Sequence, residues 1–205
     1  MIRTIIFDLS EVYLKGLKGL EDKLEPLLNV PAEEIHERFH NKELTLLFSG
    51  KISEIKYWES LIEQNNWNIK VTALERLIRE NFTEIKGTRR IIEELKENGL
   101  KLGLLSVHAK EWVEFCEQKY DYHKLFNEIV YSFEIGELKP AREPFEIILK
   151  KLRVNSQECI FIDDSQQNLF TAESMGMKTI QFKDSIQLHR DLYCYLQETR
   201  SGETH

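Results

Sequence analysis

The chain has 205 residues, of which 41% are hydrophobic, and carries a net charge of −7. A chain of this length can bury a sizeable core and is typical of one domain, or of one domain with an insertion. The negative charge argues against nucleic acid as the main partner, because phosphate backbones are bound by clustered Lys and Arg side chains.

Sequence signals for membranes, secretion and cysteine-based sites are weak. No apolar run approaches the roughly 20 residues of a membrane helix, and the start MIRTIIFD is too short for a signal-peptide apolar region. We therefore expect a cytoplasmic protein that does not bind membranes. Cys116, Cys159 and Cys194 lie far apart without paired spacing, which predicts neither a disulfide framework nor a zinc site.

The first predicted element is a strand in IRTIIFDL, whose unbroken apolar character is typical of a strand covered on both faces, as in a parallel sheet. From about residue 15 to 85, charged and apolar residues mix at helical spacing. This stretch predicts about four helices, with Pro31 suited to a helix start and Gly50 to a stop. The four segments are GLEDKLEPLLNV, PAEEIHERFHNKELTLLFSG, ISEIKYWESLIEQNN and VTALERLIRENF.

After Gly87, predicted helices and strands alternate. Helices are predicted in TRRIIEELKENG, AKEWVEFCEQKY, AREPFEIILKKL and SQQNLFTAESMG, and strands in LKLGLLS, EIVYS, ECIFIDD and KTIQF. The alternation implies crossover units and a doubly wound parallel sheet, so the predicted fold class is α/β. We expect a Rossmann-like core of residues 1–14 and 86–205 with a helical insertion of residues 15–85. The polar tail QETRSGETH is expected to fray.

Polar side chains follow several of these strands at their carboxyl ends, where open parallel sheets bind ligands. They are Asp8, Ser106, Lys139 and the pair Asp163 and Asp164. Carboxylates that meet there repel one another unless a cation lies between them, and a site made of oxygen ligands suits Mg²⁺. A lysine and a hydroxyl beside that site would suit phosphoryl oxygens. The pattern therefore indicates phosphate chemistry.

Four stretches resemble the motifs of the haloacid dehalogenase superfamily of phosphohydrolases. They are FDLSEV, LLSVH, GELKPAREPF and IFIDDSQQNLFTAESMGM. The similarity spans the predicted core, and the helical insertion lies where the first subclass of this family carries a mobile cap. The resemblance implies that Asp8 is the nucleophile and forms an aspartyl-phosphate.

The resemblance also implies roles for the other strand-end residues. Ser106, the neighbouring Val107 and Lys139 would hold the phosphoryl group, and Lys139 would also offset the carboxylate charges. The metal site implied by the resemblance consists of Asp8, Asp163, Asp164 and the backbone carbonyl of Ser10. Within it, Asp164 is expected to be the main side-chain ligand beside Asp8, with Asp163 secondary.

Ser10 departs from the family pattern, because most family phosphatases have aspartate there, which protonates the leaving oxygen and then activates water. A serine hydroxyl has no useful pKa near 7, and lost acid–base catalysis costs typically ~10²–10⁴-fold in rate. Substrates whose leaving group departs without much help are then favoured, such as anomeric sugar phosphates, acyl phosphates and aryl phosphates. The DLSEV start resembles a sugar-phosphate phosphatase subgroup whose FDLG-x-V start also lacks the aspartate.

Two residues near Ser10 have open interpretations. Glu11 either substitutes for the missing acid or points away. His108 either faces the phosphate or begins a helix in solvent, and the second interpretation is favoured. For the insertion residues Tyr57, Trp58, His36 and His40, packing is favoured over substrate contact.

The sequence as a whole predicts an Mg²⁺-dependent phosphatase of a small phosphorylated metabolite, with a sugar phosphate expected, acting as a monomer or homodimer. Ser10 supports one alternative, a catalytically weak or inactive phosphate-binding protein. A haloacid dehalogenase is a further alternative, but that chemistry needs no metal, so the doubled Asp163 and Asp164 argue against it.

Overall fold

The structure, a computed structural model, describes the backbone of residues 2–201 and the side chains of residues 2–197. Strand β1 (Thr4–Phe7) opens the fold. Five helices follow this strand before residue 86: α1 (Leu20–Leu28), α2 (Ala32–Phe39), α3 (Lys42–Phe48), α4 (Glu54–Asn65) and α5 (Val71–Asn81). These five helices form the insertion.

Helices and strands then alternate. The strands are β2 (Lys101–Ser106), β3 (Glu128–Tyr131), β4 (Cys159–Asp163) and β5 (Lys178–Gln181). The helices are α6 (Thr88–Glu97), α7 (Lys110–Tyr120), α8 (Ser132–Ile135), α9 (Arg142–Leu152), α10 (Gln166–Ser174) and α11 (Ser185–Ser201). The strands pair in parallel in the order β3-β2-β1-β4-β5, which confirms the α/β fold class with a Rossmann-like core.

Both faces of the sheet are covered by helices, which explains the unbroken apolar run in β1. Ile6 packs on one face in a cluster with Phe145 of α9 and Leu169 of α10. Ile5 and Phe7 belong to a second cluster, which includes Ile92 of α6. Successive residues of a strand point to opposite faces, so a strand between two helical layers is apolar at every position.

The insertion contains one more helix than the sequence predicts. The segment predicted as a single helix over residues 31–50 is divided between α2, which ends at Phe39, and α3, which begins at Lys42. Asn41 is extended between them, and its side chain accepts a hydrogen bond from the backbone N–H of Leu44 at 2.9 Å. Asn is a favoured helix N-cap, so this residue starts a new helix.

The two chain segments that connect the insertion to the sheet run side by side. The N–H of Lys15 donates to the carbonyl of Thr83 at 2.9 Å, and the N–H of Ile85 donates to the carbonyl of Tyr13 at 2.8 Å. Leu14 and Glu84 form an antiparallel bridge between them. The predicted boundaries after residue 14 and before residue 86 stay predictions, and they fall at this paired connection.

The C-terminal helix α11 was not predicted. It packs on α6 and β5 through a narrow apolar stripe that includes the buried Leu188 and Leu192. It also runs to Ser201, into the tail that was expected to fray, and residues 202–205 lie outside the described residues. None of the helices in the described part of the chain is long and apolar enough to cross a membrane.

Candidate active site

Three of the predicted site residues meet at the carboxyl ends of β1 and β4, which are neighbours in the sheet. Asp8 directly follows β1, and its N–H donates to the carbonyl of Ile162 at 2.9 Å, which continues the strand pairing by one residue. Asp163 is the last residue of β4. Nζ of Lys139 lies 2.8 Å from Oδ1 of Asp8 and 2.6 Å from Oδ2 of Asp163. All three side chains are buried.

Asp163 is held by a set of donors that the sequence motifs only partly indicated. Besides Lys139, its carboxylate accepts hydrogen bonds from the N–H of Ser165 at 2.8 Å and from Nδ2 of Asn168, which lies 3.0 Å from both oxygens. Asn168 was not among the predicted site residues. Its position in the first turn of α10, within the fourth motif, is the signal that points to it. Asp163 is thus fixed by neighbours on several sides.

The carboxylates of Asp8, Asp163 and Asp164 have the arrangement that a divalent cation needs. One oxygen from each lies within 4.8 Å of the others. When ionised, three carboxylates less the one ammonium of Lys139 leave a local charge of −2. Oxygen donors and this charge fit Mg²⁺. Asp164 is exposed and lines the cleft, whereas Asp163 is fully buried; the order of their roles toward a metal stays a prediction.

Burial and the neighbouring charges shift the pKa values of this group. Burial raises the pKa of Asp8, Lys139 counteracts that rise, and Asp163 adds to it. Burial alone would lower the pKa of Lys139, but the charges of Asp163 and Asp8 outweigh it and raise the pKa above its ordinary value. Lys139 therefore remains charged beside the carboxylates.

Ser106 and Val107, which are neighbours in sequence, differ in their position relative to the cleft. Val107 lines the cleft. Ser106 ends β2, and its hydroxyl is buried without a hydrogen-bond partner among the described residues. Ser106 itself is not on the cleft wall. A buried hydroxyl without a partner is uncommon and indicates a ligand or water that would satisfy it.

Ser10 and Glu11 lie in the turn that follows Asp8, and both line the cleft. Glu11 has a positive φ of 58°, and its Oε1 accepts a hydrogen bond from the N–H of Gly16 at 2.8 Å. The Glu11 carboxylate is thus held by the backbone of Gly16, which itself lines the cleft. Burial raises the pKa of Glu11, and the Gly16 N–H partly opposes that rise.

His108 is buried, so the favoured interpretation of an exposed helix start was wrong. Its side chain packs between Phe82 and Trp112, each with a ring centroid 5.7 Å away, and it lines the cleft. Nδ1 accepts a hydrogen bond from the N–H of Ala109 at 3.1 Å. Burial lowers the pKa of His108 to about 4, so its imidazole is neutral near pH 7.

The cleft has a volume of about 410 Å³ and lies between the insertion and the carboxyl ends of the strands. His36 and His40 of the insertion line it, whereas Tyr57 and Trp58 are fully buried and pack against other aromatic rings. The insertion thus contributes the two histidines to the cleft and keeps the two aromatic residues in its core.

Comparison with known proteins identifies a family of hydrolases that includes phosphatases by name. A family model described as haloacid dehalogenase-like hydrolase matches residues 5–182. YhcW of Bacillus subtilis (strain 168), a candidate phosphatase by its name, is 27% identical over 191 residues, which cover 88% of this chain and 83% of that protein. The pyrophosphatase PpaX of Bacillus cereus (strain B4264) is 21% identical over 182 residues, covering 87% and 82% respectively.

Solved structures share the fold. The HAD family enzyme bt-2542 of Bacteroides thetaiotaomicron, in complex with magnesium and inorganic phosphate, aligns with a TM-score of 0.75 at 19% identity, covering 90% of this chain and 96% of that chain. The L-2-haloacid dehalogenase of Xanthobacter autotrophicus aligns with a TM-score of 0.68 at 15% identity, covering 95% and 83%. Because both phosphate-bound and dehalogenase structures align, the fold alone does not separate the two chemistries.

Proposed function

The chain belongs to the haloacid dehalogenase-like hydrolase family, and on that premise we propose that this hydrolase is an Mg²⁺-dependent phosphatase of a small phosphorylated metabolite. The observation that carries the proposal is the contact of one buried lysine with two buried strand-end carboxylates, Asp8 and Asp163. The similarity to YhcW and PpaX supports the reaction class.

In the proposed mechanism, Asp8 attacks the phosphorus atom and forms an aspartyl-phosphate, which water then hydrolyses. Lys139 offers a fixed positive charge to the phosphoryl oxygens as charge moves onto them. Ser106 and Val107 lie at the end of the neighbouring strand β2, where the Ser106 hydroxyl would donate to the phosphate. Asp163 accepts a hydrogen bond from Lys139 and is itself held by Asn168, so Asp163 positions the lysine.

The metal would be held by Asp8, Asp164 and the carbonyl of Ser10, with Asp163 as a secondary ligand. Bound there, Mg²⁺ supplies positive charge to the phosphoryl oxygens and offsets the repulsion between substrate and carboxylates. The local charge of −2 and the close carboxylate oxygens support this assignment. The magnesium and phosphate in the bt-2542 structure are in keeping with it.

Helices α1–α5 would act as a cap, with residues 15–85 as its extent. They cover the carboxyl end of the sheet and form one side of the cleft. A cover of this kind excludes water from the phosphoryl group and retains the substrate.

Ser10 supports a second candidate function, a phosphate-binding protein with little or no turnover. Ser10 lines the cleft at the position where the resemblance leads us to expect a carboxylate acid. The presence of Asp8 favours an enzyme, since a protein that only binds phosphate gains nothing from a nucleophilic carboxylate. Substrates whose leaving group departs without a proton stay favoured, namely anomeric sugar phosphates, acyl phosphates and aryl phosphates. The first motif is most similar to that of the sugar-phosphate phosphatase subgroup.

The proposal is tested by phosphate release from a panel of phosphorylated metabolites, with Mg²⁺ and with EDTA. We expect release only with Mg²⁺. Asp8→Asn should abolish it, whereas Asp22→Asn, at an exposed site in α1, should retain parental activity. Circular dichroism would confirm that both variants are folded. Activity of Asp8→Asn would disprove the mechanism, and undiminished activity in EDTA would disprove the metal requirement.

A further inference from the structure

The cleft has two chemically different sides. Asp8, Lys139, Asp164 and Asn168 form the polar side. Part of the remaining wall is apolar, beside polar members that include Glu11 and Lys18, and the apolar members come from the segment after β1, from α3, from the loop after β2 and from α7. They are Leu17, Leu44, Phe48, Val107 and Trp112. A ligand whose phosphate lies on the polar side would have its organic part against this wall.

Two aromatic residues belong to the apolar wall, Phe48 and Trp112, of which Trp112 is buried. The rings of Phe48 and Trp112 lie edge to face, with centroids 5.9 Å apart and planes at 82°. Phe48 is half-buried, so part of its ring is open to a ligand. Its backbone carbonyl accepts a hydrogen bond from Oγ of Ser132 at 2.6 Å, and the same Oγ accepts from the N–H of His108 at 3.1 Å. Phe48 is therefore connected through Ser132 to the loop after β2, which contains His108.

Nδ1 of each of the three cleft imidazoles lies near a protein group, so among these rings a sugar hydroxyl would have only the Nε2 atoms as partners. His108 accepts from Ala109, His40 donates to the carbonyl of His36 at 2.9 Å, and Nδ1 of His36 lies 3.6 Å from Oε1 of Glu21. A hydroxyl buried without a hydrogen bond is costly, whereas an aromatic ring gains from contact with other rings.

The residue at position 10 also restricts the substrate, because it limits which leaving groups can be expelled. Ser10 has no acidic proton to give near neutral pH, so the substrate oxygen is best expelled as a stable anion. Anomeric sugar, acyl and aryl phosphates all meet this condition. Of the three, the aryl ester combines a good leaving group with an apolar, planar body that matches the wall.

We propose that the substrate is a small aryl phosphate monoester whose ring lies against Phe48, which packs on the buried Trp112, while its phosphate lies at Asp8 and Lys139. This inference rests on the phosphatase function proposed above. A carboxylate oxygen of Asp8 forms the new bond to phosphorus, and the bond from phosphorus to the aryl oxygen breaks. The aryl oxide leaves with that electron pair and takes a proton from solvent. Water then releases inorganic phosphate and restores the Asp8 carboxylate.

The test compares phenyl phosphate, acetyl phosphate and glucose 1-phosphate as substrates with Mg²⁺ present. Phenyl and acetyl phosphate both expel an anion without a proton, but they differ in leaving-group pKa as well as in the apolar ring, so the effect of Phe48→Ala is measured as a change in KM for each substrate separately. For the parent we expect kcat/KM at least about tenfold higher for phenyl phosphate than for glucose 1-phosphate. We expect Phe48→Ala to raise KM for phenyl phosphate by about tenfold, the effect of losing one aromatic contact, and to change KM for acetyl phosphate less than about twofold on the same grounds.

Two controls separate recognition from folding. Phe170→Ala removes an exposed phenylalanine of α10 that is not part of the cleft wall, and it should leave every KM unchanged. Phe48→Leu keeps an apolar side chain and should give an intermediate KM for phenyl phosphate. Binding of phenylphosphonate, measured by calorimetry, should weaken in Phe48→Ala even where turnover is slow.

The outcomes are distinct. Turnover of all three substrates with glucose 1-phosphate preferred, or with Phe48→Ala raising KM equally for phenyl and acetyl phosphate, would overturn the aryl assignment and leave the phosphatase function standing. Release of phosphate from none of the three would overturn both. A selective loss for phenyl phosphate in Phe48→Ala, together with weaker phenylphosphonate binding, would support the assignment.

Discussion

Ser10 and Ser106 are both hydroxyl residues near the carboxylates, but their surroundings differ. Ser10 lines the cleft in the turn after Asp8. The Ser106 hydroxyl is buried without a partner among the described residues. The first side chain is expected to limit acid–base chemistry, and the second is expected to bind the phosphate.

Replacement of Ser10 by aspartate tests the first expectation. Ser10→Asp should speed the turnover of alkyl phosphates by about 10–100-fold and that of aryl phosphates less, because an alkoxide needs a proton to leave and an aryl oxide does not. Rates should be compared at saturating Mg²⁺, since a further carboxylate disturbs metal binding. Equal changes for the two substrate types would mean that another residue, such as Glu11, already supplies the proton.

Ser106→Ala tests the second expectation. The variant should lose less than about 0.5 kcal/mol of unfolding free energy, because the hydroxyl has no hydrogen bond to lose, while inhibition by inorganic phosphate should weaken about 10–100-fold. Thr4→Val is the matched control, since Thr4 also carries a buried hydroxyl without a described partner but begins β1, at the opposite end of the sheet. Equal phosphate inhibition in the two variants would contradict the role of Ser106.

At the scale of elements, Ser132 connects three parts of the chain. It begins α8 directly after β3, donates to the carbonyl of Phe48 at the end of α3 and accepts from the N–H of His108 in the loop after β2. Sequence reasoning did not identify this residue. A serine after a predicted strand has no local feature that shows which distant backbone groups it will meet.

Ser132→Ala should therefore weaken the attachment of α3 to the sheet. We expect the free energy of unfolding in urea to fall by about 1–3 kcal/mol, because a buried N–H and a carbonyl lose their partner. Amide hydrogen exchange of α3 should also quicken. Ser174→Ala, which removes an exposed hydroxyl that donates to Thr171 within α10, should change neither measurement. Similar losses in both variants would mean that the Ser132 bridge contributes little.

In the molecule as a whole, the insertion and the sheet share one hydrophobic cluster. It contains Leu24 of α1 and Trp58 of α4 together with Leu104 of β2 and Ile162 of β4. His108 lies at the junction, against Phe82 and Trp112. Protonation of this buried ring should therefore affect the stability of the entire chain.

The pH dependence of unfolding tests that connection. The pKa of His108 is lowered from 6.5 to about 4 in the folded protein, so the unfolded chain binds the proton first as the pH falls. The contribution of neutral His108 to the free energy of unfolding is complete above pH 6.5. It is lost as the pH falls toward 4, by about 3 kcal/mol in total. Urea titrations of the parent and of His108→Phe between these pH values should show a smaller loss in the variant. Parallel curves would contradict the assignment.

The sequence by itself determined the parallel sheet, the order of its strands along the chain and the strand ends at which Asp8 and Asp163 lie, and it placed Lys139 between the third and fourth strands. These features follow from local patterns, because a strand between two helical layers is apolar throughout and because the carboxyl ends of parallel strands share one edge. Helices α1–α5 follow the first strand, where the insertion was predicted, although the segment predicted as one helix is divided at Asn41. The bounds of the insertion stay predictions.

Only the tertiary structure decided which side chains meet beyond the strand ends. The burial of His108, the hold of Asn168 on Asp163 and the aromatic wall of Phe48 and Trp112 depend on contacts between segments far apart in sequence. The hydrophobic periodicity of a sequence indicates which face of a helix or strand is apolar. It does not indicate which neighbour covers that face or where a loop side chain points. The chemistry of the site was therefore readable from the sequence, whereas the shape of its cleft came from packing.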